Sequence, residues 1–187
     1  MQELVLSREQ IHEICVRIGG ELTKELANEE KLPLFVCTMK GALYFMGDLL
    51  REVKVPCIED YVQISSYEGT QSTGKIVMKR AIGTEYDGRT VVIVEDIVDT
   101  GLSMDFLIKA IKQGGNPKRI LVAALFDKAP ARKIEVPIDF VGVKMDKAKF
   151  LIGYGLDYDG LGRNTPYVYV PTPEEIESLD RLLGKQK

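Results

Sequence analysis

The chain of 187 residues is poor in the residue types that mark metal centres and disulfide scaffolds. It has three cysteines, Cys15, Cys37 and Cys57, and one histidine, His12. The cysteines form no CxxC pair and no spacing that a zinc site requires. Each lies among apolar neighbours, so all three are expected as buried, unreactive side chains. His12 falls off the apolar stripe of its segment and is expected on a solvated surface rather than in catalysis. A basic excess is missing too: Lys and Arg number 25 against 28 Asp and Glu, a net charge of -3. That balance gives no electrostatic argument for a general nucleic-acid binder, so any anionic ligand is expected to be held by local devices. No apolar run approaches the roughly 18 residues of a membrane span, and the start, Met1-Gln2-Glu3-Leu4, lacks the basic region and apolar run of a signal peptide. Internal repeats, low-complexity tracts and domain linkers are also absent. A cytoplasmic protein without membrane or nucleic-acid partners is expected.

What is present is ordinary globular usage, 45% hydrophobic and 28% charged, in a length that suits one domain with a sizeable core. Ser7 with Gln10 forms a capping box, and Ile11, Ile14, Cys15, Ile18, Leu22 and Leu26 then recur on one helical face. Leu34 to Thr38 is a short apolar run suited to a buried parallel strand, followed by Lys40-Gly41 and a helical segment from Ala42 to Val53. Tyr61 to Ile64 reads as a strand, with a polar loop from Glu68 to Lys75 and a return strand at Ile76-Val77-Met78. Thr90 to Val94 is a strand of β-branched residues, and Ser103 to Gln113 a helix with Phe106, Leu107, Ala110 and Ile111 inward. Gly114 to Pro117 stops that helix. Ile120 to Leu125 and Phe140 to Val143 are further strands, and Thr172-Pro173-Glu174-Glu175 caps a last helix reaching Leu183. Strands alternating with helices imply an α/β fold on a mainly parallel sheet.

Gly69 to Lys75 spells GxxxxGK, the start of a Walker A loop. The next residue, Ile76, has no hydroxyl for Mg²⁺, and it opens a strand where that loop needs a helix. Nucleoside-triphosphate hydrolysis is therefore set aside.

The informative segment is Val91 to Ser103. An apolar strand stops, the paired acids Glu95 and Asp96 follow, and Asp99-Thr100-Gly101 leads into a helix. Open α/β sheets bind ligands at the carboxyl ends of parallel strands, where this loop lies. The first amides of the helix lack intrahelical acceptors and suit a phosphate. Gly101 permits close backbone approach, and Thr100 and Ser103 add hydroxyls. Paired carboxylates beside such a site suit a sugar diol or hydrated Mg²⁺, although a lone Glu-Asp pair is more often a solvated turn.

This segment resembles the phosphoribosyl pyrophosphate signature of the type I phosphoribosyltransferases, and more of the chain is similar to the hypoxanthine-guanine branch of that family. The matching pieces are Met39 to Ala42, Ser65-Ser66-Tyr67, Val94 to Gly101, Asp127-Lys128, Lys149-Phe150 and Gly153 to Tyr158, in the family's order across roughly residues 30 to 170. Arg163 stands six residues beyond Asp157, as a family arginine does. The resemblance implies a type I phosphoribosyltransferase fold: a mainly parallel central sheet flanked by helices, a mobile flap loop, and a small hood from the N-terminal and C-terminal segments. The whole of 1–187 would be one such domain.

The resemblance also implies roles. Glu95 and Asp96 would hold the ribose hydroxyls, partly through Mg²⁺, and Thr100, Gly101, Leu102 and Ser103 would cradle the 5′-phosphate. Lys40, Gly41 and Arg163 would meet pyrophosphate, with Ser66 and Tyr67 beginning the flap that closes over it, a segment expected to be poorly ordered from Tyr67 to Met78. Asp99 would face purine N7 and act as general base, Lys128 would donate to the 6-oxo group, Phe150 would stack on the base, and Leu151 would offer backbone groups. Asp157 would bind a second Mg²⁺. A non-proline cis peptide is implied at Met39-Lys40, and a homodimer or homotetramer as the assembly.

The residues support that chemistry independently. Breaking the bond between C1′ and pyrophosphate puts negative charge on the leaving group, which Mg²⁺, Lys40 and Arg163 can neutralise. A lysine donates and cannot accept, so Lys128 matches a 6-oxo group and not a 6-amino group. Taken singly, Lys128 reads as a surface lysine, Phe150 as core and Arg163 as a solvated charge. Lys144 to Ala148 departs from the family in lacking proline and in length, and Ser103 stands where Thr is usual, keeping the hydroxyl. Two other readings compete: a regulator using the phosphoribosyl pyrophosphate site as a sensor, and a transferase for adenine or orotate. The first lacks the expected basic face. Asp127-Lys128 and Gly155-Leu156-Asp157 discriminate against the second.

Overall fold

A computed structural model describes residues 2–66, 76–147 and 149–185. In chain order the elements are β1 (Glu3–Leu6), α1 (Arg8–Glu25), β2 (Leu34–Met39), α2 (Leu43–Glu52), β3 (Ile58–Ser66), β4 (Ile76–Arg80), β5 (Thr90–Val98), α3 (Leu102–Gly114), β6 (Arg119–Asp127), β7 (Phe140–Lys144), β8 (Val168–Val170) and α4 (Pro173–Leu182), with a short 3-10 turn at Ala129–Ala131. Strands β4-β3-β2-β5-β6-β7 form one sheet in that order. All its neighbours are parallel except the edge pair β3–β4.

The central strands are apolar on both faces because helices cover both. Along β5, Val92 and Val94 enter the core shared with α1 and α2, while Val91 and Ile93 enter the one shared with α3. This is the two-residue alternation of a strand, expressed as two cores rather than core and solvent. The α1 stripe packs as expected, with Ile14 only partly buried. On α3 the buried residues are Met104, Leu107 and Ile111, so Met104 takes the inner place expected of Phe106. Both capping boxes form, at Ser7 with Gln10 and at Thr172 with Glu175.

From β2 the chain proceeds through α2 to β3 on one side, and from β5 through α3 to β6 on the other, with the two helices on opposite faces. The β2–β5 boundary is therefore a topological switch point, and the loops leaving these two strands diverge to form a crevice at their carboxyl ends.

Several expectations need correction. Strand β5 does not stop at Val94; it pairs with β6 as far as Val98 opposite Asp127, so the two carboxylates lie within the strand. Ile76 to Met78 form the expected return strand, part of β4 paired antiparallel with β3, so the flap expected from Tyr67 to Met78 does not extend over them. The rest of that flap, Tyr67 to Lys75 with the GxxxxGK string, lies outside the described residues. Cys15 and Cys37 are buried, but Cys57 is only partly so. Burial pushes the Cys15 thiol up to about 11 and, with the charges of Glu95 and Asp96, that of Cys37 to about 12. His12 is exposed, as expected. The two-stranded sheet of β1 and β8 joins the chain's two ends, a pairing that periodicity does not suggest.

Candidate active site

The crevice is built around the end of β5. The Thr38 hydroxyl, from β2, lies within hydrogen-bond distance of Glu95 Oε1 (2.7 Å) and the Val94 carbonyl (2.9 Å), and the Asp96 amide donates to Glu95 Oε1 at 3.0 Å. Burial, and then the charge of Asp96 beside it, raise the Glu95 carboxyl well above the ordinary carboxylate range. A carboxyl group raised by a neighbouring carboxylate suits a cation between the two. Among the described residues no cluster of three acids, cysteines or histidines could hold a metal unaided. The carboxylate oxygens of Glu95 and Asp96 are the donor type of a hard cation such as magnesium, which commonly takes one or two carboxylates and completes its shell from ligand oxygens and water.

Asp99 follows β5. Its Oδ2 lies 3.5 Å from Lys128 Nζ, while its Oδ1 is shielded from solvent with no hydrogen-bond partner. Buried polar atoms are generally satisfied, so an unpaired acceptor at a strand end points to a missing donor. The Lys128 side chain is only 11% exposed. It sits at the end of β6 beside β5, and its backbone amide donates to the Val98 carbonyl at 2.9 Å. The solvated-lysine reading fails here.

Gly101 caps α3 in the left-handed conformation, φ 83°, with no side-chain cap. A Cβ there would stand 2.2 Å from the Ile134 carbonyl oxygen, so both conformation and space require glycine. Thr100, Gly101 and Ser103, with Glu95 and Asp99, line a cavity of about 80 Å³. Leu102, the first residue of α3, is half-buried behind them.

From the other strand, β2 ends in Met39 and the Met39–Lys40 peptide is cis, as the resemblance implies. Lys40 is exposed at the rim. Gly41 is pressed against β5 so closely that a Cβ would lie 1.7 Å from Asp96 Oδ2. A third segment reaches the same place, since a Cβ on Gly155 would lie 2.0 Å from the Gly41 carbonyl oxygen. Arg163 donates to the Gly155 carbonyl and pairs with Asp157 at 2.8 Å, and Asp157 Oδ2 accepts from the Gly160 amide at 2.6 Å. Ser66 ends β3 with its backbone opposite Ile76, and Tyr67 lies outside the described residues.

Phe150 is 51% exposed and makes a T-shaped contact with Tyr158, ring centroids 6.0 Å apart. It is not core. Leu151 is buried. The atypical stretch before Phe150 leaves β7 with the Met145 amide bonded to the Asp127 carbonyl at 2.8 Å.

One participant escapes the sequence reading. Arg132 is 8% exposed at its side chain, pairs with Asp127, and donates to the Asp99 carbonyl at 3.0 Å and the Val98 carbonyl at 3.4 Å. In a short polar loop it reads as a solvated charge, and only its position five residues after Asp127 hints otherwise.

A parallel α/β sheet with a phosphate-type loop and paired acids at its switch point defines a nucleotide-handling transferase architecture. The model of the phosphoribosyl transferase domain matches residues 7–159, and the chain belongs to that family. It is 35% identical over 179 residues to the hypoxanthine-guanine phosphoribosyltransferase of Bacillus subtilis, covering 95% of this chain and 97% of that protein. It is 36% identical over 177 residues to the enzyme of the same name from Streptococcus thermophilus, covering 94% and 96%. The crystal structure of a hypoxanthine phosphoribosyltransferase from Staphylococcus aureus superposes with a TM-score of 0.84 at 34% identity, covering 92% of each chain.

Proposed function

We propose that this protein transfers the 5-phosphoribosyl group of phosphoribosyl pyrophosphate to N9 of a 6-oxopurine, hypoxanthine or guanine with xanthine as a third candidate, releasing pyrophosphate and a nucleoside monophosphate for purine salvage in the cytoplasm. The carrying observation is the pair at the strand ends: a buried, unpartnered Asp99 oxygen beside a largely buried Lys128. Together they offer an acceptor for the N7 side of a purine and a donor for its 6-oxo group. Adenine would set an amino donor against the Lys128 ammonium.

In this reading the base lies beside Lys128 and stacks on the exposed Phe150 ring, with backbone groups of Leu151 at its edge. Thr100, Gly101, Leu102 and Ser103 hold the 5′-phosphate through first-turn amides and hydroxyls. Glu95 and Asp96 hold the ribose hydroxyls. Lys40, Gly41, Ser66, Tyr67 and Arg163 receive the pyrophosphate, and Arg163 exchanges its present Asp157 partner for that anion. Mg²⁺ held by Glu95 and Asp96, and a second by Asp157, would neutralise charge on the leaving group. Asp99 takes the base proton as N9 bonds to C1′, a contribution of about 10²–10⁴ in rate. The paired β1 and β8 form the hood, 1–187 is one domain, and the working form is a homodimer or homotetramer.

Pyrophosphate release, measured with hypoxanthine, guanine, xanthine, adenine and orotate in turn, tests the reading. Activity with 6-oxopurines alone is expected. Activity confined to adenine or orotate, or none with any base, would overturn it.

A further inference from the structure

The carbonyl groups at the end of β5 and along the loop that leaves it are hydrogen-bonded one after another. The Val98 carbonyl accepts from the Lys128 amide at 2.9 Å and the Asp99 carbonyl from Arg132 Nε at 3.0 Å. The Thr100 carbonyl accepts from the Lys133 and Ile134 amides at 2.9 and 3.1 Å, and the Gly101 carbonyl continues into α3 through the Asp105 amide at 2.9 Å. Four successive carbonyls are thus bound by chain behind or beyond the loop. A peptide unit whose carbonyl is tied on one side presents its amide to the other, and a carbonyl turned forward would repel an anion.

Three of these four carbonyls are held by residues 128–134, and Arg132 is the only side chain among the holders. Its planar fork reaches two carbonyls and Asp127 at once, which an ammonium group cannot do. Its charge is balanced by Asp127 and its side chain is 8% exposed, so it has no free face for a ligand. Its stem also backs the glycine turn, since a Cβ on Gly101 would lie 3.1 Å from Arg132 Cδ. An arginine buried this way has a desolvation cost that a merely structural contact could avoid with an apolar residue of the same size.

We infer that Arg132 is a positioning residue for phosphate recognition: it holds the Val98 and Asp99 carbonyls backward, so that the loop from Thr100 to Ser103 turns its amides toward the 5′-phosphate. This rests on the reading of that loop as the 5′-phosphate site.

Competition titration of the full chain with a 6-oxopurine nucleoside 5′-monophosphate and with the same nucleoside lacking phosphate isolates the effect. The wild-type protein binds the monophosphate far more tightly. In Arg132→Met that preference falls at least about tenfold while nucleoside affinity stays within about threefold. Arg132→Lys keeps the Asp127 partner but cannot span both carbonyls, and it retains only part of the preference. Equal weakening of both ligands in Arg132→Met, or a full preference in both variants, overturns the role of Arg132. If Arg132→Met does not fold, a full preference in Arg132→Lys is sufficient to overturn it. A wild-type protein without preference for the monophosphate would instead remove the phosphate site itself, and this inference with it.

Discussion

Lys128 Nζ stands 3.5 Å from Asp99 Oδ2, at the limit of a hydrogen bond, while Asp99 Oδ1 faces inward without a partner. The two side chains come from the carboxyl ends of adjacent parallel strands, with Val98 opposite Asp127 in the ladder just before them. That register sets a donor and an acceptor side by side on rigid elements, where a planar base with one of each on its edge can be read.

Asp99→Asn keeps the shape and removes the proton acceptor. Turnover is expected to fall by about 10² or more while the nucleotide product still binds. Steady-state kinetics with a parallel product titration checks this, and turnover within a few-fold of the parent would remove Asp99 from the base role.

Lys128→Ala leaves the 6-oxo group without its donor and should weaken selection for 6-oxo over 6-amino bases by about 1–3 kcal/mol. Competition between hypoxanthine and adenine measures it. Unchanged hypoxanthine binding would place the base pocket elsewhere.

Gly41→Ala introduces a Cβ 1.7 Å from Asp96 Oδ2, and either the β2 loop or the carboxylate must move. Overpacking of this kind costs about 1–3 kcal/mol. KM for phosphoribosyl pyrophosphate is expected to rise roughly 10- to 100-fold, and the same strain should lower the melting temperature by several degrees. A normal KM would show that the contact has no part in ligand binding.

Asp60 gives a pH dependence of stability. Burial alone would raise its carboxyl, but the amides of Tyr61, Thr84 and Gly83 donate to it and outweigh that, holding it at about 2. The folded value lies below the unfolded one, so the unfolded state binds more protons between them. The stabilisation is complete above pH of about 4 and is lost as pH falls toward 2, with a size on the order of 2 kcal/mol. Denaturant unfolding of the wild type and Asp60→Asn at pH 7 and pH 3 should give a gap that narrows in acid; a constant gap would contradict the sign.

By itself the sequence determined the layered α/β fold, because alternation, capping boxes and glycine stops are local signals that neighbouring residues complete. It also determined the acidic pair, the phosphate-type loop and the family, since these residues are close together or recur in a fixed order. Tertiary structure alone decided what depends on distant partners. Strand β5 runs on through Glu95 and Asp96 because β6 continues the ladder beyond the apolar run. Glycine is required at 41 because Asp96 lies against it, and β1 is a strand because β8 pairs with it. Arg132, a polar residue in a polar loop, is buried because Val98, Asp99 and Asp127 surround its guanidinium. Periodicity records which face of an element is covered, but the identity of the covering group is set only when the chain has packed.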